Sequence, residues 1–430
     1  MKYHVITYGC QMNLSDSERI IAVLDSLKYE QNKDMNKANL VVINACSVRQ
    51  SAIDRIYGLV EKLKKNKKKP VTILTGCVLK KDKKKFAEIF DYILDIKNLS
   101  NWPEILKIKK LKNYKNYLDI TPIYSNKFSA NVPIMTGCNN FCAYCVVPYT
   151  RERETSRPAI EIISEVKNLV KNGCKEIWLL GQNVNSYKDP STGSGQITNF
   201  PELLKLVNKI PGKFWIRFTS SHPKDFNNDV INALAIGEKI TPYLNLPVQA
   251  GDDKVLKSMN RHYTVKDYKN KIKKLRDKIP DIAISTDIIV GFPGETKKQF
   301  ENTAKLFRDI KFDMAYINKY SKRAGTVAAK LKDDVSVVEK KRRERVLTEI
   351  LKQTALEKNQ KLIGKETTVL INEKRLARRS FGEGGDSNYF GKNEHYKTIK
   401  IESKKNILGK LVRVKITKSA PFILTGEITK

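Results

Sequence analysis

Cys138, Cys142 and Cys145 fall within eight residues of one another, in the stretch TGCNNFCAYCVVPYTR. Thiolate sulfur is the usual ligand of iron–sulfur clusters, and a four-iron cluster ordinarily takes four of them. This stretch supplies three, and no further cysteine follows until Cys174. One iron would be left open, and an open position turns a structural site into a reactive one, as a catalytic zinc keeps a place for water or substrate. A structural zinc site would need a second Cys or His pair. The four histidines, His4, His222, His262 and His395, are scattered, so the spacing favours a cluster over a zinc knuckle or a chance group of buried thiols.

A second trio stands upstream. Three apolar runs, HVITYGC, LVVINAC and VTILTGC, each end in a small residue and a cysteine: Gly9-Cys10, Ala45-Cys46 and Gly76-Cys77. The amphipathic segments SDSERIIAVLDSLKYE and SVRQSAIDRIYGLVEKLKK separate them, the pattern of strands alternating with helices. In a parallel α/β sheet the carboxyl ends of neighbouring strands share the edge where ligands bind. The three cysteines would then converge into another three-thiolate site, with the small residues letting the backbone approach a bulky ligand. The competing reading is that cysteine, small and readily buried, fills the end of the sheet.

The elements that must position these residues divide the chain. The lysine- and tyrosine-rich stretch LKIKKLKNYKNYLD closes a first α/β domain, expected over 1–120. Six strand-like runs follow (VPIMTGC, EIWLLGQNVNSY, FWIRFTSSHP, YLNLPVQAG, IAISTDIIVGFPGE, DMAYINKYS) with helical patterns between them, predicting a partial (β/α)6 barrel over 124–360. Its carboxyl face, where barrel enzymes keep their active sites, would be lined by Gln182, Asn183, Ser220, Ser221, Gln249 and Asp287. Each is a candidate cofactor contact that could equally be a turn residue. Cys174 has no spacing partner and reads as buried filler. Beyond the basic stretch VEKKRRERVLTEILKQTALEKNQKLIG, short alternating runs with Gly between them predict a small antiparallel β-barrel over 364–430. Such barrels often bind single-stranded or looped nucleic acid. The loop RLARRSFGEGGDS within it mixes arginines with acidic residues, too evenly for a nucleic-acid patch.

At 430 residues and 40% hydrophobic, the chain has enough apolar content for two or three cored domains. No run approaches the roughly 18 apolar residues of a membrane span. The amino-terminal KYHVITYGC reads as a strand rather than a basic leader with a cleavage site. Seven cysteines, an odd number without an export signal, argue against a disulfide framework and for the reducing cytoplasm with metal-bound thiolates, and the chain is expected to act as a monomer. The formal charge of +35 suits a polyanionic partner. Runs such as KKNKKK (64–69) and KKDKKK (80–85) are commonly solvated faces, so the charge supports nucleic-acid binding without establishing it.

The CxxxCxxC spacing, with Tyr144 before the last cysteine, resembles the signature of the radical S-adenosylmethionine (SAM) superfamily. With both trios and the terminal barrel, the chain resembles radical-SAM methylthiotransferases, most of all the MiaB type. The stretches that carry the likeness are TYGCQMNLSDSE, GCNNFCAYCVVPYTR, LLGQNVNSY, TSSHP, LPVQAGDDKVLKSMNR, STDIIVGFPGET and, in a TRAM-like terminal domain, GKLVRVKIT. The resemblance implies two [4Fe-4S] clusters, an auxiliary one on Cys10, Cys46 and Cys77 and a radical-generating one on Cys138, Cys142 and Cys145, with SAM on the open iron of the latter. It implies conversion of N6-isopentenyladenosine at position 37, in the anticodon loop of tRNA, to its 2-methylthio derivative, with electrons from a donor protein. Sister classes act on threonylcarbamoyl-adenosine or on a ribosomal-protein aspartate, and tend to carry a basic residue or proline after the first cysteine; here Gln11 follows Cys10. A rival of another class is an RNA-binding protein with structural or redox-sensing clusters, which would need complete ligand sets.

Radical chemistry suits such a substrate. An aromatic C–H is too weak an acid for a side chain poised near neutral pH to deprotonate, whereas a carbon radical can abstract the hydrogen. Two departures from the family pattern stand out. Thr150-Arg151-Glu152 replaces Thr-Arg-Gly, and Ser321-Lys322-Arg323-Ala324-Gly325-Thr326-Val327 lacks the three usual prolines, which would stiffen that loop by fixing φ.

Overall fold

Val, Ile and Leu occupy consecutive positions of LVVINAC and VTILTGC, as in a parallel sheet covered on both faces. In the computed structural model, which describes residues 1–46, 50–64, 69–107, 116–191, 198–375 and 387–429, these runs are strands Leu40–Cys46 (β3) and Val71–Cys77 (β4). With Lys2–Thr7 (β1), Glu30–Gln31 (β2) and Tyr92–Ile93 (β5) they make a parallel sheet in the order β2-β1-β3-β4-β5. Alternate residues serve opposite faces. Val42 and Ile73 pack with Ile20, Val23 and Trp102, while Val41, Ile43 and Leu74 pack with Ile53, Ile56 and Phe86.

Ser129–Pro133 (β6) opens the second unit, followed by a short hairpin of Met135–Thr136 (β7) and Thr155–Ser156 (β8) that brackets the cysteine loop. Glu176–Leu180 (β9) and Trp215–Phe218 (β10) extend β6 as a parallel sheet, and Tyr243–Asn245 (β11), Ala283–Val290 (β12) and Met314–Lys319 (β13) form another. Backbone bonds from Ile216 N to Lys239 O (2.7 Å) and from Thr241 N to Ile216 O (3.1 Å) stitch the two. The six strands thus run in sequence order around an incomplete barrel, as the sequence predicts. Helices between the strands cover its outside; three of them, Phe200–Asn208, Val265–Lys278 and Lys297–Ile310, start at capping boxes on Asn199, Thr264 and Thr296.

The helix Val337–Gln360 leads to Glu366–Arg375 (β14), Ser387–Asn393 (β15), Thr398–Ser403 (β16), Leu411–Ser419 (β17) and Leu424–Ile428 (β18). They close in the order β14-β15-β16-β18-β17; β16 and β18 pair parallel, and the other neighbours are antiparallel. Val369, Ile371, Ile399, Ile401, Val414 and Ile416 fill the interior. Most of the 64–69 lysine run, of the 106–119 stretch and of the RLARRSFGEGGDS loop lies outside the described residues. Among the described residues no helix is long and apolar enough to cross a membrane.

The units are held together at both ends of the partial barrel. The helix Gln11–Ser26 buries Asn13, Ser15, Asp16, Ser17, Glu18 and Arg19 between the first sheet and the partial barrel. Ser15 Oγ donates to Asn131 O (3.3 Å), and Glu18 Oε1 accepts from the backbone N and hydroxyl of Ser125 (2.9 and 2.7 Å). At the opposite end, the turn between β15 and β16 inserts Tyr396 against Trp178 and Tyr243 at the base of the barrel.

Candidate functional site

Cys46 and Cys77 end adjacent parallel strands in direct register, so the sheet places them side by side. Cys10 differs from the expectation that all three end strands. β1 stops at Thr7, and Cys10 is the N-cap of the helix Gln11–Ser26. It nonetheless reaches the same edge: both Cys10 and Cys46 act electrostatically on Cys77. Behind the trio, Asn13 Nδ2 donates to Asn44 Oδ1 (2.9 Å) and Ala45 O (3.0 Å), and Asn44 Nδ2 donates back to Asn13 O (2.8 Å).

The expected reason for the small residues needs correction. Gly76 has φ +92°, and a Cβ there would clash with Ala45 O and Asn44 Oδ1 of the neighbouring strand. The sheet's own packing requires this glycine, without appeal to a ligand.

The second trio lies on the loop between β7 and β8. Cys138 and Cys142 are buried and Cys145 half-buried. Cys138 N donates to Glu152 O (3.0 Å) and Cys145 N to Cys142 O (2.9 Å), which fold the loop on itself. Ala143 N reaches Met259 O (2.9 Å), and Ala143 O accepts from Ala328 N (2.7 Å), just after the proline-free segment 321–327. That segment is tied in other ways: Thr326 is buried with its Oγ1 donating to Arg323 O (2.8 Å), and Tyr320 Oη donates to Ala328 O (2.9 Å).

A buried arginine stands on each trio, a feature that spacing alone did not reveal. Arg261 Nη1 donates to Cys142 Sγ (3.4 Å), with its other nitrogens on Tyr263 Oη (2.8 Å) and Pro247 O (2.8 Å). Arg151 Nε donates to Cys77 Sγ (3.0 Å), and its Nη2 pairs with Asp16 Oδ2 (2.6 Å). Arg151 follows the second trio in sequence yet touches the first in space. Its neighbour Glu152 holds φ +62°, the left-handed region that explains glycine in the family pattern, and its carboxylate pairs with Lys97 of the first domain.

Burial pushes the Cys77 thiol up to about 12, with the Arg151 guanidinium opposing and Cys46 and Cys10 adding to the rise. Burial and then Cys142 push Cys145 to about 12, and burial raises Cys138. Metal ligation needs thiolates. Buried thiols that raise one another's pKa become good ligands once a cationic group shares the site, and the donor set fits a cluster in both places. Among the described residues no group of three or more His, Cys, Asp or Glu side chains is placed to hold a single metal ion. A cluster asks less, since its several irons spread the ligands.

The carboxyl face of the barrel carries buried polar atoms without protein partners: Gln182 Oε1, Asn183 Oδ1, Asn185 Nδ2, Ser221 Oγ and His222 Nε2. Each unmet atom costs about 1–3 kcal/mol, so the face suits a polar ligand. Of the residues expected there, Asn183 also donates Nδ2 to Asp225 Oδ2 (2.7 Å), and Asp287 accepts from Asn245 (3.2 Å). Gln249 and Ser220 hold positive φ (72° and 65°), with the Gln249 backbone bonded to β12 on both sides. His222, set aside as one of four scattered histidines, stands at this face. Burial first, and then the charges of Arg261 and Lys224, lower its pKa to about 2, so its imidazole is neutral. Cys174 packs in the barrel core.

Family models match along the chain: an uncharacterized protein family, UPF0004, at residues 2–95, the radical SAM superfamily at 132–307 and a TRAM domain at 360–429. A tRNA-2-methylthio-N(6)-dimethylallyladenosine synthase of Caldicellulosiruptor saccharolyticus is 40% identical, with 99% of this chain and 92% of that protein covered. A synthase of the same name from Carboxydothermus hydrogenoformans is 39% identical over 99% of both. The cobalamin-dependent SAM radical enzyme OxsB, solved with aqua-cobalamin and SAM bound, shares the fold at TM-score 0.53 and 9% identity, over 82% of this chain and 55% of that one. With two thiol trios at the edges of two parallel α/β units and a closed terminal barrel, and with such identity along nearly its whole length, the chain belongs to the tRNA-2-methylthio-N(6)-dimethylallyladenosine synthase family.

Proposed function

We propose that this chain is a tRNA methylthiotransferase that converts N6-isopentenyladenosine at position 37 to its 2-methylthio derivative by radical SAM chemistry. The observation that supports this reading most is that Arg151, whose backbone continues the Cys138 loop of one α/β unit, reaches across the seam to touch Cys77 and Asp16 of the other. When bound, a cluster on Cys138, Cys142 and Cys145 with SAM supplies a carbon radical, and a second cluster on Cys10, Cys46 and Cys77 supplies a place to hold sulfur. Three protein thiolates per site leave room for the cofactor in one and the sulfur in the other, which separates this reading from a purely structural cluster protein.

The chain's own residues supply orientation and exclusion of water. The unpartnered atoms of Gln182 and Asn183, with Ser220, Gln249 and Asp287 around the same face, are the proposed contacts to SAM. Neutral His222 offers a nitrogen there without adding charge beside Arg261. The reducing equivalent would come from a donor protein, and the setting would be the cytoplasm.

Nucleoside mass spectrometry on bulk tRNA from cells lacking this protein is the direct test. The methylthio-isopentenyl nucleoside should disappear, its unthiolated precursor accumulate, and the intact gene restore it. An unchanged nucleoside, with loss of a methylthio mark on threonylcarbamoyl-adenosine or on a ribosomal protein, would move the chain to a sister substrate.

The terminal barrel is the proposed RNA contact. On β17, Arg413, Lys415 and, past a register shift, Lys418 are exposed while Val414 and Ile416 point into the core; Glu366 pairs with Arg413 (2.8 Å), which leaves the lysines as the proposed phosphate contacts. Lys415→Glu with Lys418→Glu should weaken tRNA binding and flatten the plot of log affinity against log salt by roughly 0.7–0.9 for each phosphate that the face no longer neutralises. Unchanged salt dependence in filter binding would take this face out of the account.

A further inference from the structure

The Cys138 loop reaches across the domain seam through two adjacent side chains, Arg151 and Glu152. Arg151 caps the helical turn Val147–Thr150 that follows Cys145. It is 3% exposed, and it divides its guanidinium between an acid of the first domain and a sulfur of the first cysteine trio. Asp16, the acid, also accepts from Tyr117 Oη (3.3 Å). The remaining nitrogen, Nη1, is buried and has no protein partner. An ion pair that served only to join the domains would need neither the bond to Cys77 nor an unpartnered donor beside it.

We propose that Arg151 tunes the group held by Cys10, Cys46 and Cys77: it donates to the Cys77 ligand sulfur, keeps a fixed positive charge beside it, and offers Nη1 to the same group. This rests on the two-cluster reading above. Hydrogen bonds to ligand sulfur and the net charge around a cluster are levers on its reduction potential. A cation favours the reduced form, which carries one more negative charge. Arginine suits the task because it stays protonated in any protein setting, and a buried charge is little screened by salt. The placement also couples the sites, since any movement of the Cys138 loop moves the charge on Cys77. Glu152, one residue on, ties the same turn to Lys97, so the loop is strapped to the first domain at two points.

The test is an anaerobic redox titration of the full-length, iron-reconstituted protein, followed by electron paramagnetic resonance. The radical-site signal is identified by its loss in Cys138→Ala and by its response to SAM. In Arg151→Met the reduced-to-oxidised ratio of the other cluster at a given potential should fall at least about tenfold, a shift of about 59 mV for one electron. The radical-site signal should keep its potential. A merely structural role would lower occupancy without moving the potential. Arg151→Lys keeps a buried cation that cannot make both bonds, and should shift the same signal in the same direction by less; it stands in if the methionine variant does not fold. Glu152→Gly removes the outer strap and should leave both potentials in place. Two clusters with unmoved potentials in the Arg151 variants overturn the role of Arg151. Wild-type protein holding about four irons instead of about eight, with a single signal, overturns the two-cluster reading itself.

Discussion

Cys77→Ala should leave SAM cleavage running and stop methylthiolation, whereas Cys138→Ala should stop both. The expectation follows from where the two cysteines stand. Cys138 belongs to the loop between β7 and β8, beside the polar face proposed for SAM, while Cys77 ends a strand of the other α/β unit. Removing one of the three proposed ligands from either site would release or cripple the cluster proposed there, and groups that act as a unit lose nearly all activity when one is removed, by about 10⁴-fold or more. The two losses differ in what remains. 5′-Deoxyadenosine should still form in Cys77→Ala, without methylthio product, and neither should form in Cys138→Ala. Cys10→Ala is the companion to Cys77→Ala: Cys10 is exposed, so its loss disturbs packing least and a matching phenotype assigns the effect to the site rather than to folding. Chromatography of the nucleosides and of the SAM products checks all three. Methylthio product from either of the first-domain variants would remove that trio from the reaction.

Much of this was readable from residue order. β-Branched runs ending in cysteine specify parallel strands and a shared edge, and the structure sets Cys46 against Cys77 without a residue's slip. The six-strand order around the barrel follows from alternation of strand-like and helical runs. What sequence conceals is polarity put to use inside. Asn13 and Ser15 to Arg19 are polar, as at the solvent-facing start of an amphipathic helix, yet they are buried, because the helix lies between two units and its polar groups bond across the seam. Arg151 and Arg261 were likewise legible only as members of motifs. Their partners, Asp16 and Cys77 for one and Cys142 for the other, are separated from them by 74 to 135 residues, and no periodicity encodes such contacts. Glu152 looks like a lost turn, and the compensation, Lys97, lies 55 residues away.

Arg217→Ala should lower the unfolding free energy by about 3–5 kcal/mol, the cost of stranding one partner of a buried ion pair. Arg217 projects from β10 into the base of the barrel. Its Nε donates to Glu176 Oε1 (2.6 Å) and its Nη1 to Thr241 Oγ1 (2.9 Å), with both side chains of the ion pair almost wholly buried. The same guanidinium donates to Glu394 O (2.9 Å) and Asn393 O (2.7 Å), carbonyls of the β15–β16 turn, and lies about 5 Å from the ring centres of Trp215 and Tyr396. Alanine would strip the buried Glu176 carboxylate of its counter-cation, leaving it only the Ser129 hydroxyl (2.8 Å), and would take a donor from both turn carbonyls. Lys397 and Lys358 on Asp313 (2.9 and 2.7 Å) tie the same end of the barrel down a second time. The terminal barrel is therefore a plug in the partial barrel as well as the proposed RNA contact, and deleting residues after Gly364 would remove Tyr396 from the barrel floor together with the lysines of β17. Loss of activity on truncation cannot distinguish the two roles, but point changes can. Arg217→Ala should lower the urea midpoint and open the chain to proteolysis near Asn359, where that side chain bonds to Ala420 O and Pro421 O, while Lys415→Glu with Lys418→Glu should change tRNA affinity at unchanged stability. An Arg217→Ala protein with a wild-type urea midpoint would mean that the two units fold independently and that the plug contributes nothing to the catalytic barrel.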